Sequence, residues 1–91
     1  SLISRSLFEF GWALRYHEEP AVRRGVLVAF SAVGRAMLPA LLVADLEEVL
    51  PELQEWLRAH AEQDTDAGCQ QLAAACHAIF GTAVRAEMRI F

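Results

Sequence analysis

Neither lysine nor asparagine occurs among these 91 residues, and tyrosine appears once. Without lysine, positive charge rests on eight arginines against twelve carboxylates, a formal net charge of −4. A nucleic-acid footprint needs clustered Lys and Arg that displace counterions from phosphate, and this balance argues against one. Lacking asparagine and short of β-branched residues, the chain has no alternating apolar and polar run that would mark a strand. Cysteine is limited to Cys69 and Cys76. On one helix these lie about 10 Å apart along the axis at ~1.5 Å per residue, beyond the roughly 7 Å a disulfide tolerates. Two unbridged thiols in apolar surroundings fit the reducing cytoplasm or nucleus better than a secretory route. A charge-free membrane-length run is missing too: residues 26–44 come nearest, but Arg35 lies within them, with Gly34 and Pro39 close by.

What is present is helix-forming and apolar. Hydrophobic residues make up 55% of the chain, with 16 Ala and 12 Leu leading, so the composition predicts an all-α fold. The punctuation predicts four main helices. The first covers residues 2–16, with Ile3, Leu7, Phe10 and Leu14 as its stripe and Leu2, Phe8 and Trp12 widening it. After the break at Pro20, the second covers residues 21–37. Val22, Val26, Ala29, Phe30, Val33 and Met37 line its inner face, Arg23, Arg24 and Arg35 its outer one, and Leu27, Ser31 and Gly34 a flank. Gly25 and Gly34 inside it point to close helix contact. A third helix reaches Ala61 from Ala40 or Asp45, with Asp45 and Glu48 as a capping box and Leu46, Val49, Leu50, Leu53, Leu57 and Ala61 buried. Pro51 predicts a kink there or two short helices meeting. A cap at Asp64, Thr65 or Asp66 opens the fourth, which turns Cys69, Leu72, Ala73, Cys76, Ile79 and Phe80 inward and ends near Gly81. Residues 82–91 extend it or form a short fifth helix, with Val84, Met88 and Phe91 on one side.

Charge is distributed unevenly. Residues 45–66 hold eight carboxylates offset only by Arg58, net −7, whereas residues 1–44 are net +2. An acidic face of this kind is either a solvated surface or an electrostatic partner surface. The candidate partner residues are Glu48, Glu52, Glu55 and Glu62, the arginines Arg15, Arg23 and Arg24, and the anchors Trp12 and Trp56.

Catalytic and metal chemistry find no footing. His17-Glu18-Glu19 begins like a zinc-protease helix, but the second histidine it would need falls on Ala21. Cys76 and His77 are adjacent and so diverge by about 100° on a helix, and His60 and Cys69 supply no short-spaced ligand pair. No nucleophile elbow or phosphate loop occurs. The expectation is therefore no enzyme, no cofactor and no metal.

Sliding the chain on itself by 47 residues places Val22 on Cys69, Val26 on Ala73, Ala29 on Cys76 and Val33 on Phe80. A helix–turn–helix period of about 40–47 residues is that of HEAT and armadillo repeats. Glu19-Pro20-Ala21-Val22-Arg23 resembles the opening of a HEAT repeat's second helix, where an acidic residue caps the helix ahead of Val-Arg, and Asp66-Ala67-Gly68-Cys69-Gln70 is a weaker copy. The expected fold is an α-α superhelix of two HEAT-like hairpins, residues 1–38 and 40–81, with a tail at 82–91. It is expected to be a piece of a longer solenoid, packed on adjacent repeats or self-associating.

Taken together, EEPAVRRGVLVAFSAV and DLEEVLPELQEWLRAHAEQDTDAGCQQLAAACHAIF resemble the C-terminal HEAT-like region of the telomere length regulation protein family. The resemblance spans residues 18–80. It implies a non-enzymatic adaptor that joins two Tti proteins and brings a heat-shock chaperone to phosphatidylinositol 3-kinase-related kinases. In that family the chaperone machinery docks on phosphorylated acidic serine motifs, and no serine here lies in an acidic run. The alternative from the residues alone is a free-standing four-helix bundle binding a partner helix or an apolar ligand. Packing order separates the two: a solenoid's first helix touches the second most and the last hardly at all, whereas a bundle brings first and last together.

Overall fold

Each of the three prolines stands in the first turn of a helix, where its missing N–H leaves no bond unmade. The computed structural model describes the backbone of residues 2–88 and the side chains of Ser6 and residues 8–87. Its helices are α1 Leu2–Ala13, α2 Pro20–Ala36, α3 Pro39–Leu46, α4 Leu50–Gln63 and α5 Ala67–Met88. Glu19 and Leu38, just ahead of Pro20 and Pro39, are extended (ψ 121° and 140°), as the clash with a following proline ring requires. Among the described residues there is no strand.

Pro51 splits the third predicted helix into α3 and α4 rather than kinking it. The turn between them is closed by the Val49 N–H on the Leu46 carbonyl at 2.9 Å. The capping box expected from Asp45 and Glu48 does not form, because Asp45 lies inside α3 and α4 is capped at Val49 with no side-chain bond. Glu19 likewise makes no side-chain cap on α2. At α5 the expectation holds: Asp66 Oδ2 accepts from the Cys69 N–H at 2.9 Å.

Gly81 does not end α5. The buried series Cys69, Ala73, Cys76, Phe80 and Ala83 crosses it without a break, and continued packing outweighs the ~1 kcal/mol a helical glycine costs. On α1 the predicted stripe turns by about one residue: Phe8 is buried and Phe10 is 68% exposed. On α2 the inward face centres on Leu27, fully buried, with Arg23, Val26, Phe30 and Ser31. Leu27 belongs to the core and not to a flank. The side chains of Leu2, Ile3, Leu7, Met88 and Phe91 lie outside the described residues.

α5 is the central element, packed along both α4 and α2 and touching α3, while α1 rests on α2. Close approach is set by two glycines. A methyl on Gly11 would sit 2.6 Å from the Phe30 ring, and one on Gly34 would sit 2.8 Å from Ile79 Cγ2. Phe30, Leu27, Leu53, Leu57 and Phe80 fill the interior between α2, α4 and α5, each worth about 1.5–3 kcal/mol of burial. α1 closes one side through stacked Phe8 and Phe30 rings (5.0 Å) and an edge-on contact of Trp12 with Trp56 (5.5 Å).

Candidate interaction surface

Two groupings of polar side chains emerge from this packing, one internal and one open. The internal one joins the turns before α2 and α5. Arg23 faces inward four residues into α2 and donates from Nε and Nη2 to Asp64 Oδ2 and Oδ1 at 3.1 and 2.9 Å. Its Nη1 donates to the carbonyls of His17 and Glu18 at 2.8 and 2.9 Å. Asp64 Oδ1 accepts from the Asp66 N–H at 2.9 Å as well. Burial alone would push the Asp64 carboxyl up, but the hydrogen bonds from Arg23 and from the Asp66 N–H, with the charges of Arg23 and His60, hold it below the usual carboxylate range. Arg23, expected on a partner face, is thus withdrawn into a buried ion pair, because its fork is satisfied from two turns at once.

The open grouping lies where α1 meets α4 and the α3–α4 turn. One recess of about 360 Å³ is lined by Phe8, Glu9, Trp12, Asp45, Glu47 and Glu48, among others. A second, of about 450 Å³, is lined by Trp12, Arg15, Tyr16, Pro51, Glu52, Glu55, Trp56 and Ala59. Trp12 lines both, so the two recesses adjoin across its side chain, a two-part cleft running along α1 and the turn after it. Arg15 lies in it, its guanidinium 3.8 Å from the Trp12 ring centroid and 4.7 Å from that of Tyr16, and donates to the Trp12 carbonyl at 2.6 Å.

Of the sequence-selected residues, this cleft gathers Glu48, Glu52, Glu55, Arg15, Trp12 and Trp56. Trp56 is 95% buried and forms its floor, not an exposed anchor, because it is wedged between Trp12, Phe30 and His60. Glu62 stands apart from it, tied with Glu55 to Arg58. The Arg58 hydrogen bond, against a small desolvation cost, lowers the Glu55 carboxyl. Arg24 is elsewhere on the surface, 3.4 Å from Asp66. Sequence reasoning missed Glu9, Tyr16 and Glu47. The i, i+3, i+7 spacing of Glu9, Trp12 and Tyr16 on one helical face was the signal that could have found the first two.

Among the described residues no group of three or more His, Cys, Asp or Glu could hold a metal ion, and no helix is long and apolar enough to cross a membrane. Both thiols are free and buried, and burial raises the Cys76 thiol to about 11.

No family model and no solved structure gives a significant match. Among curated proteins, the mouse telomere length regulation protein TEL2 homolog is 42% identical over 71 residues, covering 78% of this chain and 8% of that protein. The human counterpart gives the same identity and coverage. The Xenopus laevis counterpart is 38% identical over 73 residues, covering 80% of this chain and 9% of its own length. The chain therefore spans less than a tenth of the relatives it matches. With this identity sustained over more than three quarters of its residues, the chain belongs to the telomere length regulation protein family.

Proposed function

We propose that the chain is a non-enzymatic protein-interaction scaffold built from two HEAT-like hairpins, α1–α2 and α4–α5, with α3 as the connection. One observation carries this reading. α2 and α5 begin 47 residues apart, at Pro20 and Ala67, and the fourth residue of each reaches back to the carbonyl six positions earlier. Arg23 Nη1 donates to His17 O and Gln70 Nε2 to Asp64 O, both at 2.8 Å. Gln70 stands where Arg23 stands in the first hairpin and keeps half of its role; the other half, the reach to Asp64, joins one hairpin to the next. Packing order supports the same reading, since α1 rests chiefly on α2 while α5 lies against α2 and α4.

Within the family, the role implied by the resemblance is that of an adaptor. As part of a longer protein, the scaffold would join Tti proteins and bring a heat-shock chaperone to phosphatidylinositol 3-kinase-related kinases in the cytoplasm and nucleus. The relatives' name, telomere length regulation protein, fits a regulatory rather than a catalytic part. The test is affinity purification of the full-length protein from its host, followed by mass spectrometry. Recovery of Tti proteins and these kinases is expected, and their absence alongside intact bait would overturn the adaptor role.

A further inference from the structure

The geometry points to the cleft between α1 and α4 as a docking groove for an arginine-bearing basic peptide, with Arg15 holding its aromatic end in cis until displaced. The inference rests on the scaffold reading and names the chemistry of a partner. Three observations converge on it. The first is charge: Glu9, Glu47, Glu48 and Glu52 line the cleft, and among the described residues none of the four enters an ion pair. The field of these four carboxylates is therefore not offset by a bound cation, and it recruits a basic partner and repels an acidic or phosphorylated one.

The second is that the cleft already holds an arginine. The Arg15 guanidinium lies over both the Trp12 and the Tyr16 ring, so that it gains from both aromatic faces. An incoming arginine that displaced it would find the same two rings, in a recess that Glu52 also lines.

The third is an unsatisfied donor. Trp56 Nε1 belongs to a ring 95% buried that lines the cleft, and it has no acceptor. Buried donors are nearly always paired, and a peptide backbone carries the carbonyl acceptor that would pair it. A basic side chain on an amide backbone satisfies both halves of the site, which an apolar ligand or a free cation does not.

The test uses the full chain and an acetylated alanine-based peptide carrying two arginines, titrated by calorimetry at low and at physiological ionic strength. The same peptide with glutamate in place of arginine is the control. Binding of the arginine peptide alone is expected, weakening as salt is added. Arg15→Ala should tighten it about tenfold by vacating the aromatic faces, and Glu48→Gln with Glu52→Gln should weaken it by a similar factor and flatten the salt dependence. These three residues are at least partly exposed, and circular dichroism melts confirm folding of each variant. Equal binding of both peptides, no binding to the wild type or to Arg15→Ala, or weaker binding to Arg15→Ala would overturn the inference. Should the peptide fail while the full-length protein still recovers Tti proteins, the groove falls and the scaffold stands.

Discussion

Asp64 concentrates more of the fold's electrostatics than any neighbouring carboxylate, because it meets Arg23 through both oxygens and binds the Asp66 N–H besides. Its carboxyl is held below the usual range, so the stability it contributes is fully present above its unfolded value, near 3.8. That contribution is lost as pH falls through the lower folded value. Urea unfolding followed at neutral pH and near pH 3 should therefore show a drop in the wild-type chain that Asp64→Asn lacks. At neutral pH, Asp64→Asn should already cost about 3 kcal/mol, because it leaves the Arg23 charge buried without a partner. A variant with wild-type stability at neutral pH would show the pair to be idle. The thiols behave in the opposite sense: burial raises both, Cys76 to about 11. A disulfide reagent at pH 8 should label neither at an appreciable rate in the folded chain and both after unfolding. The inward-facing thiols were legible in the sequence, but the ion pair was not, since Arg23 and Asp64 are 41 positions apart and local spacing says nothing about contacts at that range.

At the scale of the helix, α2 offers a paired experiment. The sequence placed close contacts at both Gly25 and Gly34, and only one of them is crowded. A methyl on Gly34 meets Ile79 Cγ2 at 2.8 Å and the Phe80 ring at 3.4 Å, whereas one on Gly25 meets nothing within 4 Å. Gly25→Ala should raise stability by up to about 1 kcal/mol, the helix-propensity gain alone. Gly34→Ala should lower it by about 1–3 kcal/mol as α2 and α5 are forced apart. Thermal melts of the two variants check the signs, and the same sign for both would contradict the packing. Helix existence was legible throughout because prolines and apolar periods agree, even where the expected side-chain caps at Glu19 and Asp45 do not form. Boundaries failed where one signal stood alone. Gly81 looked like a terminator, but Ala83 continues the buried series beyond it. Phe10 looked like core by spacing with residues 3, 7 and 14, but the close approach at Gly11 rotates α1 so that Phe8 turns inward. The cleft was half legible for the same reason: its acidic side is continuous in sequence, while its floor depends on how α1 settles on α4.

For the molecule as a whole, apolar excess is the sequence feature with the widest consequence. Phe10, Val28, Leu38 and Leu41 stay exposed at 68%, 53%, 68% and 55%, and Phe10 borders a further recess of about 240 Å³ with Gly11, Leu14, Val22, Gly25, Val26 and Ala29. This recess lies between α1 and α2, while Leu27 and its neighbours on α2 pack toward α5. A hairpin that buries one face on its neighbour and leaves the other apolar behaves as a repeat unit, and such units become stable by stacking. The 91-residue chain alone should therefore either self-associate or unfold with only a few kcal/mol, below the 5–15 kcal/mol of ordinary domains. Sedimentation velocity across a concentration series should show association, and Phe10→Ser should shift it toward monomer without lowering stability, because that ring is mostly in water already. A concentration-independent monomer with an unfolding free energy near 10 kcal/mol, the middle of that range, would mean that the apolar recess needs no cover. The hairpins would then be read as a self-sufficient bundle rather than as part of a solenoid.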